Sequence, residues 1–357
     1  LAEAGVAAEG VRPVFPAAPL PALVSLVTGR TPAGHGAVSL RPLEDTGIGA
    51  ARPLAASAIE GETLWQAVSL QGGAAAAFDW PGTDGSPVAQ AAAPGAPGEP
   101  GAARDAALVD AACALAVGPS PPRLLGLVLR QVDLARSAAP PGSRTVEAAI
   151  AGADAEIGRL LACLRRAGRL AVTAIAVAGD HGALPVHTAL RPNVVLAEVG
   201  LVTPQRDSIL GWRALARSNG GTAFVYAQEA DDALLARRAL EEAARESGAF
   251  HVVSAQEMLA RGADPQAWFG LDAAPGWIFE DGVAGERLAP ASQRSAGGYA
   301  PAESRMATGL VAWGAGLRSA VRVPELRQID IAPTLALLLG VPLTSAEGRA
   351  LPGVLQP

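Results

Sequence analysis

The sequence predicts an α/β fold: a mixed, mostly parallel sheet sandwiched by helices, with a small α/β cap inserted late in the chain. Three observations carry this. An apolar run holding Val172, Ile175 and Val177 stops abruptly at Asp180-His181-Gly182, as a buried strand does when it delivers polar residues to its carboxyl end. A helix-patterned stretch, Thr145–Ala167, separates that run from an earlier one, Leu124–Leu129, which makes a βαβ unit. Beyond Leu201 the pattern shifts to Ala223–Tyr226, a helix through Asp231–Ser247, Phe250–Ser254 and a short helix to Arg261. That change divides the chain into a core over 1–203, a cap over 204–275 and a second core segment over 276–357.

Composition bounds the function. The 357 residues can bury one large core, and 50% are hydrophobic against 17% charged. Every basic residue is Arg, and the net charge is −6, so the basic footprint of a nucleic-acid binder is missing and a nucleic-acid polymer is excluded as a partner. No apolar run is long enough for a transmembrane segment. Any export signal has to lie upstream of Leu1. The two cysteines, Cys113 and Cys163, are too few for a disulfide framework, and Cys163 lies inside a helical pattern.

The elements follow in order. Leu1–Glu9 reads as the tail of a helix running into a strand at Val11–Phe15. In Leu20–Thr28, Leu20, Leu23, Val24 and Val27 share one helical face, Pro19 and Pro21 sit in the opening turn, and Gly29 supplies the stop. Ser25 and Thr28 are expected to bond the helix backbone, and His35, between glycines, is expected in a loop. Thr63–Ala77 reads as a helix leading to a strand at Phe78 and a Trp80-Pro81-Gly82 turn, and Ala89–Ala103 as a surface loop without periodicity. Ser143 can cap the Thr145–Ala167 helix, whose stripe is Val146, Ile150, Ile157, Leu160, Leu161 and Leu164. Leu310–Trp313 reads as a late strand and Asp330–Leu339 as a helix with Pro333 in its first turn.

Candidate chemistry gathers at strand ends. Asp180 and His181 form a carboxylate–imidazole pair suited to zinc or a similar divalent ion, and Gly182 allows close approach. Asp133, after Leu124–Leu129, is a second carboxylate at a strand end. His187, His35 and Glu280 are further side chains that could approach such an ion, and His251 is assigned to packing within the cap.

The order of FPAAPLPALVSLVTGRTPAGHGAV, the Trp80 turn, LRQVDLARSAAPPGS, VAGDHGALPV, APGWIFEDG, SAGGYAPAESRMATGLVAWGAG and QIDIAPTLALLLGVP resembles the type I phosphodiesterase/nucleotide pyrophosphatase family of the alkaline phosphatase superfamily. That resemblance implies an alkaline phosphatase-like fold and a two-zinc phosphoryl transfer. In it a threonine at a helix N-terminus attacks phosphorus. It also implies a phosphate-containing small molecule as partner and, often, export. The family's Thr-Phe-Pro-Asn stands here as Pro19-Leu20-Pro21-Ala22, so the nucleophile position is Pro19 and no catalytic residue is carried over. Of the ligands to one ion, Asp180 and His181 are retained, and an aspartate on the family's first strand is expected upstream of Leu1, its absence leaving a sheet edge open. Of the ligands to the other ion, Asp133 is retained, but Ser137 and Gly297 replace histidines. The resemblance therefore implies at most one weakly bound zinc, at Asp180 and His181. Two functions compete: a catalytically inactive pseudoenzyme or decayed paralogue, and a residual single-metal hydrolase of phosphodiesters or nucleotides.

Overall fold

The computed structural model describes residues 1–39, 41–44, 46–86, 88–90, 101–206, 208–300 and 303–357. Strand β1 (Val6–Arg12) precedes helices α1 (Pro19–Thr28), α2 (Pro32–His35) and α3 (Leu64–Leu70). Strand β2 (Ala75–Phe78), helix α4 (Gly101–Val117), strand β3 (Leu124–Leu127) and helices α5 (Gln131–Ala138) and α6 (Arg144–Arg166) follow. Strand β4 (Ala174–Ala178) leads into the Asp180 turn, and β5 (Leu184–Leu190) with α7 (Pro192–Glu198) leads away from it. Next come β6 (Ala214–Ser218), β7 (Thr222–Ala227), α8 (Ala230–Ser247), β8 (Phe250–Ser254), α9 (Ala255–Ala260) and β9 (Phe269–Ala273). Strands β10 (Gly276–Phe279) and β11 (Thr308–Gly314) and helix α10 (Ile331–Leu339) are the last of the principal elements, to which shorter strands are added.

Local chemistry sets several of these boundaries. Ser143 accepts the Val146 N–H at the start of α6, Glu147 lies in its first turn and Arg165 and Arg166 in its last, so both ends complement the helix dipole. Thr63 and Gln66 form a reciprocal capping box on α3, which stops at Leu70 because the chain turns at Gly72, φ 73°; the helix is thus much shorter than Thr63–Ala77. Gly29 ends α1 in the left-handed region, φ 66°. Leu1–Glu9 is not a helix tail: Val6, Ala7 and Ala8 pair with Ala312, Val311 and Leu310, which makes them strand. Of the expected loop Ala89–Ala103, residues 91–100 lie outside the described set, Ala89–Gln90 pairs beside β2, and the rest belongs to α4.

The sheets are mixed, and antiparallel pairing plays a larger part than the sequence suggests. Strand β11 runs antiparallel between β1 and β4, while β1 also pairs in parallel with Val321–Arg322 and Leu326–Arg327. Strands β2 and β3 are parallel neighbours, as are β5 and β10. The four strands of the late unit, in the order β6-β7-β9-β8, are all antiparallel. Strand β4 does not lie mid-sheet. It ends its sheet, half-buried and with Ala176 exposed, and β3 likewise ends its own and is half-buried throughout. Among the described residues neither outer edge has a strand partner, so the apolar sequence of both strands reflects only partial cover.

Two clusters tie the late unit to the rest. Leu190, Leu196 and Phe279 pack with Leu215, Val225 and Leu240 of the late unit. Phe15, fully buried just before α1, meets Phe224 edge-on with ring centroids 6.0 Å apart. Cys113 of α4 and Cys163 of α6 form a disulfide, with Cα atoms 6.2 Å apart. Two cysteines thus make one helix-to-helix staple rather than a framework.

Candidate functional site

The Asp180 turn is held at both ends. The Gly179 N–H donates to the Gly309 carbonyl at 3.0 Å, which anchors the turn to β11. The fully buried Gln328, just ahead of α10, donates from Nε2 to the Asp180 carbonyl at 2.6 Å and accepts the Val14 N–H at 3.1 Å. One side chain therefore links the turn to the segment leading into α1. Gly182 completes the turn, and a side chain there would run into the Arg305 carbonyl, so glycine is required by close approach. Replacing Gln328 by Ala strands a buried N–H and relaxes the turn. The expected cost is about 2 kcal/mol, to be read as a lower urea midpoint.

Within the turn, Asp180 Oδ1 accepts the His181 N–H at 2.8 Å. His181 is buried, and its Nδ1 lies 2.8 Å from the Gly182 carbonyl. A carbonyl only accepts, so Nδ1 carries a hydrogen. That leaves Nε2 buried without a hydrogen-bond partner, 3.7 Å from Asp180 Oδ2 and 4.0 Å from Asp133 Oδ1. The sequence-predicted trio is thus brought together.

Asp133 arrives by a different route from the expected strand end: it lies in the first turn of α5. Helix α5 has no capping side chain of its own. Asp105 of α4, fully buried, supplies the cap, accepting the Arg130 N–H at 2.9 Å on one oxygen and the Gln131 N–H at 3.1 Å on the other. Sequence reasoning missed Asp105 and Gln328, and the only sequence signal of either is a polar residue interrupting a helical or apolar pattern. Ser137, one turn after Asp133, spends its hydroxyl on the Asp133 carbonyl at 3.1 Å.

Gly297 and α1 form the opposite wall. A Cβ built on Gly297 falls 2.7 Å from His181 Nδ1 and 2.7 Å from the Ala17 carbonyl oxygen, which places this glycine between the two. The Gly298 N–H donates to the same Ala17 carbonyl at 2.7 Å. Pro19, exposed, is the first residue of α1 and offers neither a hydroxyl nor an N–H. Pro21 has no N–H either, and the Ala22 N–H is taken by the Ala18 carbonyl, so Leu20 supplies the remaining amide of an opening turn that also lacks a side-chain cap.

The other candidates lie elsewhere. His35 is not a loop residue: it ends α2, fully buried, and bonds Ser25 of α1 at 3.0 Å, which also takes Ser25 away from the helix backbone. Thr28 does donate to the Val24 carbonyl. His187 is exposed on β5 and meets the Trp277 ring edge-on; Glu280 pairs with Arg191 and accepts the Ser292 N–H. His251 does not pack inside the late unit; it is 69% exposed, 3.6 Å from Asp272. A cavity of about 480 Å³, lined by Arg191, Val195, Glu198, Phe250, Phe279 and Arg287, opens at the far end of β5.

Zinc takes three or four protein ligands at about 2 Å. Asp133, Asp180 and His181 converge loosely, but among the described residues no group of three or more His, Cys, Asp or Glu side chains is placed to hold an ion. With Ser137 bonded to its own helix and Gly297 bare, these residues do not fit a two-ion centre.

A sequence profile described as type I phosphodiesterase / nucleotide pyrophosphatase matches residues 1–270, and the chain belongs to this family. Its fold is alkaline phosphatase-like. An inactive variant of murine ectonucleotide pyrophosphatase/phosphodiesterase 5, in complex with AMP, superposes with a TM-score of 0.76 at 18% identity, over 99% of this chain and 92% of that one. A second structure of murine ectonucleotide pyrophosphatase/phosphodiesterase 5 gives 0.75 at 18% identity, over 97% of this chain and 90% of that one. The human protein gives 0.76 at 16% identity, over 99% and 92%. No curated protein sequence matches.

Proposed function

We propose that this chain is a catalytically silent member of the phosphodiesterase/nucleotide pyrophosphatase family, keeping the fold as a scaffold for binding rather than turnover. The observation that carries the reading is the opening turn of α1, which begins with Pro19 and has no side-chain cap; the family resemblance puts the nucleophile at this position, and proline offers no hydroxyl. Ser137 and Gly297, where the resemblance puts two metal-binding histidines, offer no imidazole. The ligand class is a phosphate-containing small molecule, of the kind that AMP represents in one structural neighbour. Residues 204–275 serve as a cap over the site, a role supported by the β6–β7 turn, whose Gly221 N–H donates to the Gly297 carbonyl at 2.9 Å.

With Asp133 and Asp180 facing the site, a phosphate is repelled unless a cation accompanies it. Titration calorimetry of the purified chain is therefore expected to show at most one weakly bound zinc, and AMP uptake only in zinc. Both signals are lost in His181→Ala, and the nucleotide is recovered intact. Two tightly held zinc ions per chain would overturn the reading. One observation favours the competing function, a single-metal hydrolase of phosphodiesters or nucleotides: His181 Nε2 is buried, unpartnered and aimed between two carboxylates.

A further inference from the structure

We propose that the second metal position is closed by backbone and not merely stripped of ligands, so that restoring the lost side chains does not rebuild it. This rests on the catalytically silent reading and goes one step further: the loss is locked in by the surrounding chain.

The lock is centred on Gly297. Any side chain there starts with a Cβ 2.7 Å from the Ala17 carbonyl oxygen, 2.7 Å from His181 Nδ1 and 3.2 Å from the Gly182 carbonyl oxygen. Two of the three are backbone atoms that cannot rotate aside. The Ala17 carbonyl is held by the Gly298 N–H, and Gly182 is pinned against Arg305 while its own N–H donates to the Met306 carbonyl at 3.2 Å. The 297–298 segment cannot retreat the other way, because Gly298, φ 85°, already lies too close to the Asn219 carbonyl to accept a side chain. Just upstream, the Arg294 N–H donates to the Ser137 carbonyl at 2.9 Å and the Ser295 hydroxyl to the Arg136 carbonyl at 2.6 Å. A shift at Gly297 is thereby passed to α5, the helix that carries Asp133. A histidine at 297 has to displace the start of α1, the His181 turn or α5, and each of these also builds the site.

Three variants test this beside the parent: Gly297→Ala, the double change Pro19→Thr with Ser137→His, and the triple change that adds Gly297→His. Thermal melting and zinc per chain, measured by equilibrium dialysis and metal analysis, are the readouts. Gly297→Ala is expected to melt several degrees below the parent, although it adds a single methyl group. The double variant is expected to melt near the parent. The triple variant is expected to hold no more zinc than the double variant, or to fail to fold where the double variant folds, which locates the obstruction at 297. A Gly297→Ala variant as stable as the parent, or zinc bound by the triple variant in excess of the double variant, overturns the proposal. Turnover by the parent itself would instead overturn the silent reading, so the two failures are distinct.

Discussion

Acidification from pH 7 to pH 5 is expected to remove about 2 kcal/mol of stability through His35 alone, the slope approaching roughly 1.4 kcal/mol per pH unit below its ordinary pKa. The ring is fully buried between α1 and α2, and its Nδ1 accepts the Ala37 N–H at 3.1 Å. That acceptor role puts the ring hydrogen on Nε2, which donates to Ser25 Oγ at 3.0 Å. Both bonds suit the neutral ring. Burial, with Arg30 adding to it, lowers the His35 pKa from 6.5 to about 3, against a partial opposing effect of nearby backbone carbonyls. The sign follows from proton uptake. Below 6.5 the unfolded chain binds a proton that the folded chain refuses, so the stability present above that pH is lost progressively down to about 3. Urea midpoints for the parent and His35→Gln, measured at several pH values, check this. The variant is expected to be less stable at neutral pH and to respond less to acid. Parallel pH profiles for the two proteins would assign the acid sensitivity elsewhere.

The elements legible in the sequence were those whose signals are local. Helix α6 announces itself through Ser143, its apolar stripe and its terminal charges, although Ile150 of that stripe is half-exposed. The Asp180-His181 pair is legible because an apolar run ends there, and the family order of motifs fixes the fold class that the superpositions bear out. Features that depend on distant partners were not legible. Strand β4 has the composition of a central strand, yet it is an edge because its partner β11 comes from far along the chain and its other side has no described neighbour. The small residues of Val6–Ala8 carry too weak a pattern to be told from a helix end until they pair with Leu310–Ala312. His35 reads as a loop residue because glycines flank it, and only the packing of α2 on α1 buries it. Asp105 and Gln328 act through backbone groups brought to them by tertiary structure. No motif in the sequence marks such residues in advance.

Hydrolysis of a nitrophenyl phosphodiester by the purified chain in zinc, beside Asp180→Ala, tests the central claim most directly. Removing one member of a catalytic unit costs about 10⁴–10⁶ in rate, and losses within one unit are not independent. On the proposed reading, Pro19 takes the nucleophile position and Ser137 and Gly297 take the imidazole positions, while Asp133, Asp180 and His181 remain. The predicted result is no zinc-dependent hydrolysis above background in either protein. Zinc-dependent turnover by the parent that disappears in Asp180→Ala would contradict the account and establish a working single-metal hydrolase.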